Sequence, residues 1–162
     1  MPMLDPTRFR KVCGQFATGV AVATVRDASG TPQGLTVNSF VSVSLEPPII
    51  LISIDRATSI HDPFLKANAF GISVLKEEDR WLSDRFAYGA GDRFEGVAWR
   101  KGTLDVPLID DALATLECSL DRRIEAGDHT LFLGEVRAAE SLEEGLPLVY
   151  FGSAYQRLLT KR

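Results

Sequence analysis

Apolar runs of strand length recur along this chain, and no regular helical crossover joins one to the next. They are VAVATV (20–25), the stretch GLTVNSFVSVSLEPP (34–48), IILISI (49–54) and AFGISVL (69–75), with further strand-like runs at 114–124, 130–138 and 147–151. A parallel sheet needs a crossover of about a dozen residues between neighbouring strands, usually a helix. Strand patterns here outnumber helical ones by about three to one, which argues against a doubly wound sheet. The expectation is a mainly β fold, an antiparallel barrel with a few helices packed outside it.

Local signals agree. Asp5 is a good N-cap and Pro6 a good first-turn residue, so a helix is expected from Asp5, carrying Phe9, Val12, Cys13 and Phe16 on one stripe and ending at Gly19. RDASGTPQ (26–33) reads as a hairpin loop. IILISI reads as a strand buried on both faces. DRATSIHDPF (55–64) reads as a polar turn, KEEDRWLSDRFA (76–87) as a helix with Trp81, Leu82 and Phe86 on one side, and YGAGDRFEGVAW (88–99) as a glycine-containing loop. With no repeat or linker, residues 1–162 read as one domain.

Composition narrows the function classes. The apolar fraction is 45% and the charged fraction 25%, ordinary for a globular protein. A net charge of −4 and scattered basic residues, Arg122-Arg123 being the nearest to a run, give no footprint for nucleic acid or an anionic membrane. Cys13 and Cys118 lack CxxC spacing and read as buried free thiols in a reducing compartment. MPMLDPTRFRKV has no apolar signal core and no stretch approaches the roughly 20 apolar residues of a membrane span, so a cytoplasmic protein is expected. Two histidines and two scattered cysteines offer almost nothing to a metal, and none is expected. Neither a GxSxG elbow, a Walker loop nor a GxGxxG turn is present. Asp110-Asp111 and Glu143-Glu144 read as solvated turns. Catalysis by side chains alone has few candidates, so an enzyme built from this chain would rely on an organic cofactor.

Three segments place polar groups in apolar surroundings. Thr36, Val37, Asn38 and Ser39 could serve a heterocycle carrying both donors and acceptors, or form a polar corner of the barrel. Ser53 to Ser59 closes an apolar strand and offers Arg56, Thr58, Ser59 and turn amides, which suits a phosphate or a plain solvated turn. In GDHTLFLGEV (127–136), Gly127 and Asp128 form a turn that feeds a strand, leaving His129 either at a cavity rim or as a hydrogen-bonded structural histidine.

Together FATGVAVAT, GLTVNSFVSVSLEPPIILISI, SDRFA, DRFEGVAW, LECSLDRRIEAGDHTLFLGEV and PLVYFGSAY, in this order, resemble the flavin reductase-like family with the FMN-binding split barrel. The resemblance runs from about Phe9 to Tyr155. It implies a homodimeric six-stranded split barrel, FMN or FAD in a groove near the dimer interface, and NADH or NADPH as hydride donor. It also implies that free reduced flavin passes by diffusion to a flavin-dependent oxygenase. Carried over by position, Thr36 to Ser39 line the isoalloxazine, while Ser53, Ile54, Asp55, Thr58 and Ser59 hold the ribityl chain and phosphate. Arg85 and Phe86 close over the flavin. His129, set by Gly127 and Asp128, meets the nicotinamide nucleotide, with Tyr155 the next candidate. Many relatives carry Ala where this chain has Val37, which could tighten the ring site. The alternatives are a flavin- or haem-binding barrel acting as carrier or sensor, against which His129 speaks, and an oxidase of the pyridoxamine-phosphate type, against which the lack of a basic cluster speaks.

Overall fold

The structure is a computed structural model and describes residues 4–141 and 144–159. Its main sheet has the strand order β3-β2-β6-β9-β10-β5-β4. These strands are β2 (Ala21–Arg26), β3 (Pro32–Val37), β4 (Val41–Leu45), β5 (Pro48–Asp55), β6 (Ala69–Val74), β9 (Ala114–Ala126) and β10 (His129–Ser141). Every neighbouring pair is antiparallel, as expected for a barrel without crossovers. The sheet holds seven strands rather than six, because β4 folds back as a hairpin onto β5. Two smaller pieces complete the fold. One joins β1 (Thr18–Gly19), β11 (Val149–Phe151) and β12 (Ala154–Gln156), and the other pairs β7 (Trp99–Lys101) with β8 (Pro107–Ile109).

The long β9–β10 hairpin carries irregularities at Leu133/Gly134 and Val136/Ala138, which coil the sheet. Gly134 is required there: a Cβ would stand 2.5 Å from the Phe70 ring that fills the barrel. The gap between β3 and β5 is bridged by a side chain. Ser39 Oγ donates to the Ser53 carbonyl and accepts from the Ser53 amide, both at 2.9 Å. The barrel interior is packed by Ala23, Val25, Ile52, Ile54, Phe70, Ile72 and Phe132, and plugged by Ile60 and Phe64. A second cluster lies between the outer face of β2 and the helix α3 (Arg80–Tyr88), around Val22, Leu75, Leu82, Phe86, Phe94 and Leu148.

Several local expectations need correction. The first helix, α1 (Pro6–Cys13), is capped by Asp5 as expected but stops at Gly14, and Gly19 belongs to β1. Its stripe is not core: Phe9, Val12 and Phe16 are exposed, and so is Cys13, whereas Cys118 is buried and its thiol is pushed up to about 12 by desolvation. On β5 the burial alternates, with Ile50, Ile52 and Ile54 inside and Ile49, Leu51 and Ser53 only half-buried, so one face serves the core and the other does not. The 55–64 turn contains the start of α2 (His61–Lys66), which buries His61 and Phe64. On α3, Leu82 and Phe86 are buried but Trp81 faces solvent. Asp110 and Asp111 are exposed carboxylates, as expected, pairing with Arg100 and Lys76; Glu143 lies outside the described residues.

Candidate functional site

A groove of about 330 Å³ opens where the ends of β3 and β5 meet the start of β10. Thr36, Val37, Asn38, Ser39, Ser53, Ile54, Asp55, Thr58, Phe86 and His129 all line it. The antiparallel register explains the meeting: His129 pairs with Asp55 on one side and with Ala126 on the other. Gly127, at φ 64°, takes the left-handed turn that delivers His129 to this edge.

The chemistry of the two polar segments differs from the expectation. Thr36 Oγ1 donates to the Ser83 carbonyl at 2.7 Å, and Ser39 is committed to Ser53. These two hydroxyls hold the groove together. The Asn38 amide and the Ser53 hydroxyl make no side-chain hydrogen bond among the described residues. In the 55–61 turn most amides are spent: Arg56 donates to the Asp128 carbonyl, Ala57 to Asp55 Oδ1, Thr58 to the Asp55 carbonyl, Ile60 to Thr58 Oγ1 and His61 to the Thr58 carbonyl. The turn is therefore not an open nest of amides, and Ser59 does not line the groove. Val37 is 6% exposed and packs mostly into the core, so most of its extra bulk does not narrow the groove.

His129 is half-exposed, and its Nδ1 lies 2.7 Å from Asp128 Oδ1. This bond is the main reason the Asp128 carboxyl is held below its ordinary value. The ring thus has one nitrogen fixed by a carboxylate while Nε2 is left for another partner. His129 therefore stands at the rim of the groove and does not fill the core. The core histidine is His61, whose Nε2 lies 2.9 Å from Thr130 Oγ1, with the ring edge-on to Phe132 at 6.2 Å.

The other expected residues stand apart. Arg85 does not line the groove; it donates to the carbonyls of Arg93, Asp92 and Glu95 and so clips the following loop. Tyr155 lines a neighbouring hollow of about 200 Å³ that shares Thr36, Asn38 and Ala87 with the groove. Its hydroxyl lies 2.7 Å from Ser83 Oγ and donates to Asp84, and burial raises the phenol above its ordinary value.

Sequence reasoning missed Arg93, which lines the groove together with Leu35 and Ala87. A signal for it exists, since the tripeptide Asp-Arg-Phe occurs twice, at 84–86 and 92–94. Phe86 and Phe94 stack edge to face with ring centroids 5.0 Å apart, so the two copies meet in space. Arg93 donates to the Gly34 carbonyl at 2.9 Å and to the Gly89 carbonyl at 3.1 Å.

Residues 13–159 match the flavin reductase like domain. The chain belongs to this family. Among flavin reductase-like relatives, the FMN reductase (NADH) SmoA of Agrobacterium fabrum is 43% identical over 150 residues, covering 92% of this chain and 84% of that one. The Streptomyces globisporus NADH:FAD oxidoreductase SgcE6, solved with NAD and FAD fragments, superposes with a TM-score of 0.90 at 37% identity, covering 98% of both chains. A Rhizobium meliloti relative described as "Probable flavin reductase" is 42% identical over 139 residues; the match takes in 86% of this chain but 45% of that protein. Flavin reductase-like chains thus include both relatives of similar length and relatives about twice as long.

Proposed function

We propose that the protein is an NAD(P)H-dependent flavin reductase, which takes a hydride from NADH or NADPH to FMN or FAD and supplies free reduced flavin to a separate flavin-dependent oxygenase. One observation carries this reading: a single groove brings together Thr36–Ser39, Ser53–Asp55, Thr58 and His129, segments far apart in sequence. The relatives point the same way, from the NADH-dependent FMN and FAD reductases to the reductase subunit HsaB of a Rhodococcus jostii flavin-dependent monooxygenase. No helix among the described residues is long and apolar enough to cross a membrane.

The lining fits a flavin. Leu35, Ile54 and Phe86 offer apolar walls for a flat ring, and the Asn38 amide offers both a donor and an acceptor to a ring edge that carries both. A bound flavin supplies the hydride acceptor, and the nicotinamide the hydride. The protein's part is placement: to hold two rings at reacting distance and keep them aligned. Thr36 and Ser39 keep the ring wall rigid through their bonds to Ser83 and Ser53. Ser53, Asp55 and Thr58 face the ribityl and phosphate end, with Ser59 and Arg56 at its outer edge. Asp128 holds the His129 ring so that Nε2 meets the nicotinamide nucleotide; Gly127 makes that placement possible. Arg85 acts at one remove by fixing the loop that carries Arg93, and Tyr155 by buttressing Ser83.

The protein acts as a homodimer in this reading. Phe9 and Val12 of α1 and Val41 and Val43 of β4 are left exposed, apolar side chains that a second copy would cover by isologous contact. Light scattering then gives twice the 17.8 kDa chain mass; a mass of one chain at micromolar concentration overturns this part. For the activity, stripped protein is mixed anaerobically with NADH with and without FMN or FAD. Flavin-dependent bleaching is expected, with reduced flavin recovered in the filtrate. NADH oxidation indifferent to flavin, or flavin binding without any reduction, overturns the reading.

A further inference from the structure

Arg93 stands as a partition. It lines the groove on one side and, on the other, a hollow of about 300 Å³ whose walls include Thr31, Gln33, Gly34, Gly91 and Phe94. Space on both sides leaves its side chain room to swing. The backbone that carries it is held from behind. Arg85 donates to the carbonyls of Asp92, Arg93 and Glu95, and Asp92 Oδ1 accepts from the Phe94 amide at 2.8 Å. The buried Phe94 ring meets Phe86 and Trp99 edge to face. The tie to the barrel is thin by comparison. Among the described residues, the bond from Arg93 Nη1 to the Gly34 carbonyl, 2.9 Å, is the one hydrogen bond that joins residues 89–96 to the seven-stranded sheet. Nε is bonded within the loop, to the Gly89 carbonyl, and Nη2 makes no hydrogen bond among the described residues.

Two opposed effects act on that side chain. Closed, its charge gains bonds to two neutral carbonyls; swung out, it regains water. Partial burial in the closed position disfavours the charged form and pulls the titration of Arg93 below the ordinary arginine value. The closed position is therefore only modestly favoured. We propose that Arg93 is a gate on ligand exchange: bonded to Gly34 it shuts the groove off from the hollow, and swung into the hollow it opens the wall by which the groove's ligand enters and leaves. This rests on the reductase reading, in which free reduced flavin departs at every turnover. A gate differs from a binding residue in its kinetics. It touches no ligand atom, so its open–closed equilibrium is the same with the groove filled or empty, and it changes the rates of entry and departure together. Losing a contact to the ligand instead raises departure alone and weakens affinity.

The test follows flavin fluorescence in stopped flow, with stripped full-length protein and either FMN or riboflavin. Mixing gives the association rate constant and displacement the dissociation rate constant; melting temperatures are recorded alongside. Arg93→Ala should raise both rate constants roughly ten-fold for both flavins, the effect of losing a charged hydrogen bond on the closing equilibrium, with Kd held within about two-fold. Arg93→Lys, which keeps the charge, should fall between. Thr31 is exposed on the wall of the hollow, and its hydroxyl meets only Ser29 Oγ, so Thr31→Phe fills the hollow without touching the bonds of Arg93. Both rate constants should then fall together, again at unchanged Kd. Should Arg93→Ala fail to fold, Arg93→Lys and Thr31→Phe carry the test.

Faster dissociation of both flavins with association unchanged shows that Arg93 touches the ring or its chain, and overturns the gate. FMN weakened while riboflavin is spared shows a phosphate contact and overturns it too. So do rate constants that do not move in Arg93→Ala, or that fall along with the melting temperature, since Arg93 is then a strut between Gly34 and Gly89. Thr31→Phe without effect on either rate overturns the swing into the hollow. Wild-type protein that binds neither flavin overturns the reductase reading and the gate with it; the variants bear on the gate alone.

Discussion

The two histidines of this chain stand on opposite faces of the start of one strand, and their surroundings could hardly differ more. His129 opens β10, half-exposed, with Asp128 at one nitrogen and the groove at its side. Thr130, the next residue, points the other way and is 2% exposed; its hydroxyl meets His61, itself 9% exposed. Successive side chains of a strand alternate between faces, so one step along the backbone separates a groove-facing imidazole from the partner of a core imidazole. A histidine's role here follows from the register of β10 against β5, Thr130 opposite Ile54 and His129 opposite Asp55. If that division holds, removing one histidine should cost folding and removing the other should cost turnover.

The largest effect expected is on stability, from His61→Ala. It leaves the buried Thr130 hydroxyl unpaired, removes the edge contact to Phe132 and opens a cavity, for a loss of about 2–4 kcal/mol. Denaturant unfolding measures it directly, and NADH turnover of the protein that remains folded should be close to wild type. A stability loss under about 0.5 kcal/mol, the range of ordinary surface substitutions, would break the comparison from this side.

His129→Ala should do the reverse. Losing a hydrogen bond to a charged phosphate costs about 1.5–3 kcal/mol in the transition state, a roughly ten- to hundred-fold fall in the second-order rate constant with NADH. Flavin affinity and melting temperature should hardly move. If both drop while the rate at saturating flavin is unchanged, His129 is structural after all.

Thr130→Val sharpens the contrast within the core. It keeps the volume and replaces the hydroxyl with a methyl, leaving His61 Nε2 unpaired, so about 1–2 kcal/mol of stability should go, less than for His61→Ala. In the double variant the two losses should fall short of additive, because both delete the same bond.

The smallest effect concerns acid. His129 lowers the Asp128 carboxyl below its ordinary 3.8, so the stability this carboxylate contributes is present above that value and lost as the pH falls through the lowered one. The carboxylate is 90% exposed, so the contribution is slight. Wild type and Asp128→Asn should differ a little in melting temperature at neutral pH and converge below pH 3.8. A gap that widens on acidification contradicts the pairing.

Much of the barrel was legible because its signals are local. Residues 20–25, 49–54 and 69–75 are apolar enough to be strands anywhere, and the turn at Gly127 announces itself by residue type. The strands β7 and β8, three residues each, were not, since nothing in Trp99–Lys101 or Pro107–Ile109 is periodic over so short a span. The spacing on α1 gives the stripe, but the chain covers none of it, and Cys13, expected to be buried, is exposed with Phe9, Val12 and Phe16. Spacing reports that a face is apolar without reporting what covers it. In the site, the groove-lining segments were found from their polarity, but which polar atoms are spoken for was not. Thr36 finds Ser83 across 47 residues, Arg93 finds Gly34 across 59, and Thr130 finds His61 across 69. Bonds of that reach are properties of the assembled barrel and leave no mark within a window of sequence.

The clip that Arg85 and Arg93 make across the 89–95 loop has a consequence for how the protein responds to its medium. Both guanidiniums are anchored on carbonyl oxygens, at Asp92, Arg93 and Glu95 for one and at Gly34 and Gly89 for the other. A carbonyl is a dipole with no net charge, so mobile ions at about 0.1 M, whose screening length is about 10 Å, have little to act on across a contact of this length. The ionic surface pairs, Arg137 with Glu135 or Lys66 with Asp62, stand in full reach of those ions. The groove wall is therefore held by contacts that salt hardly weakens, whereas the exposed ion pairs loosen as the salt rises.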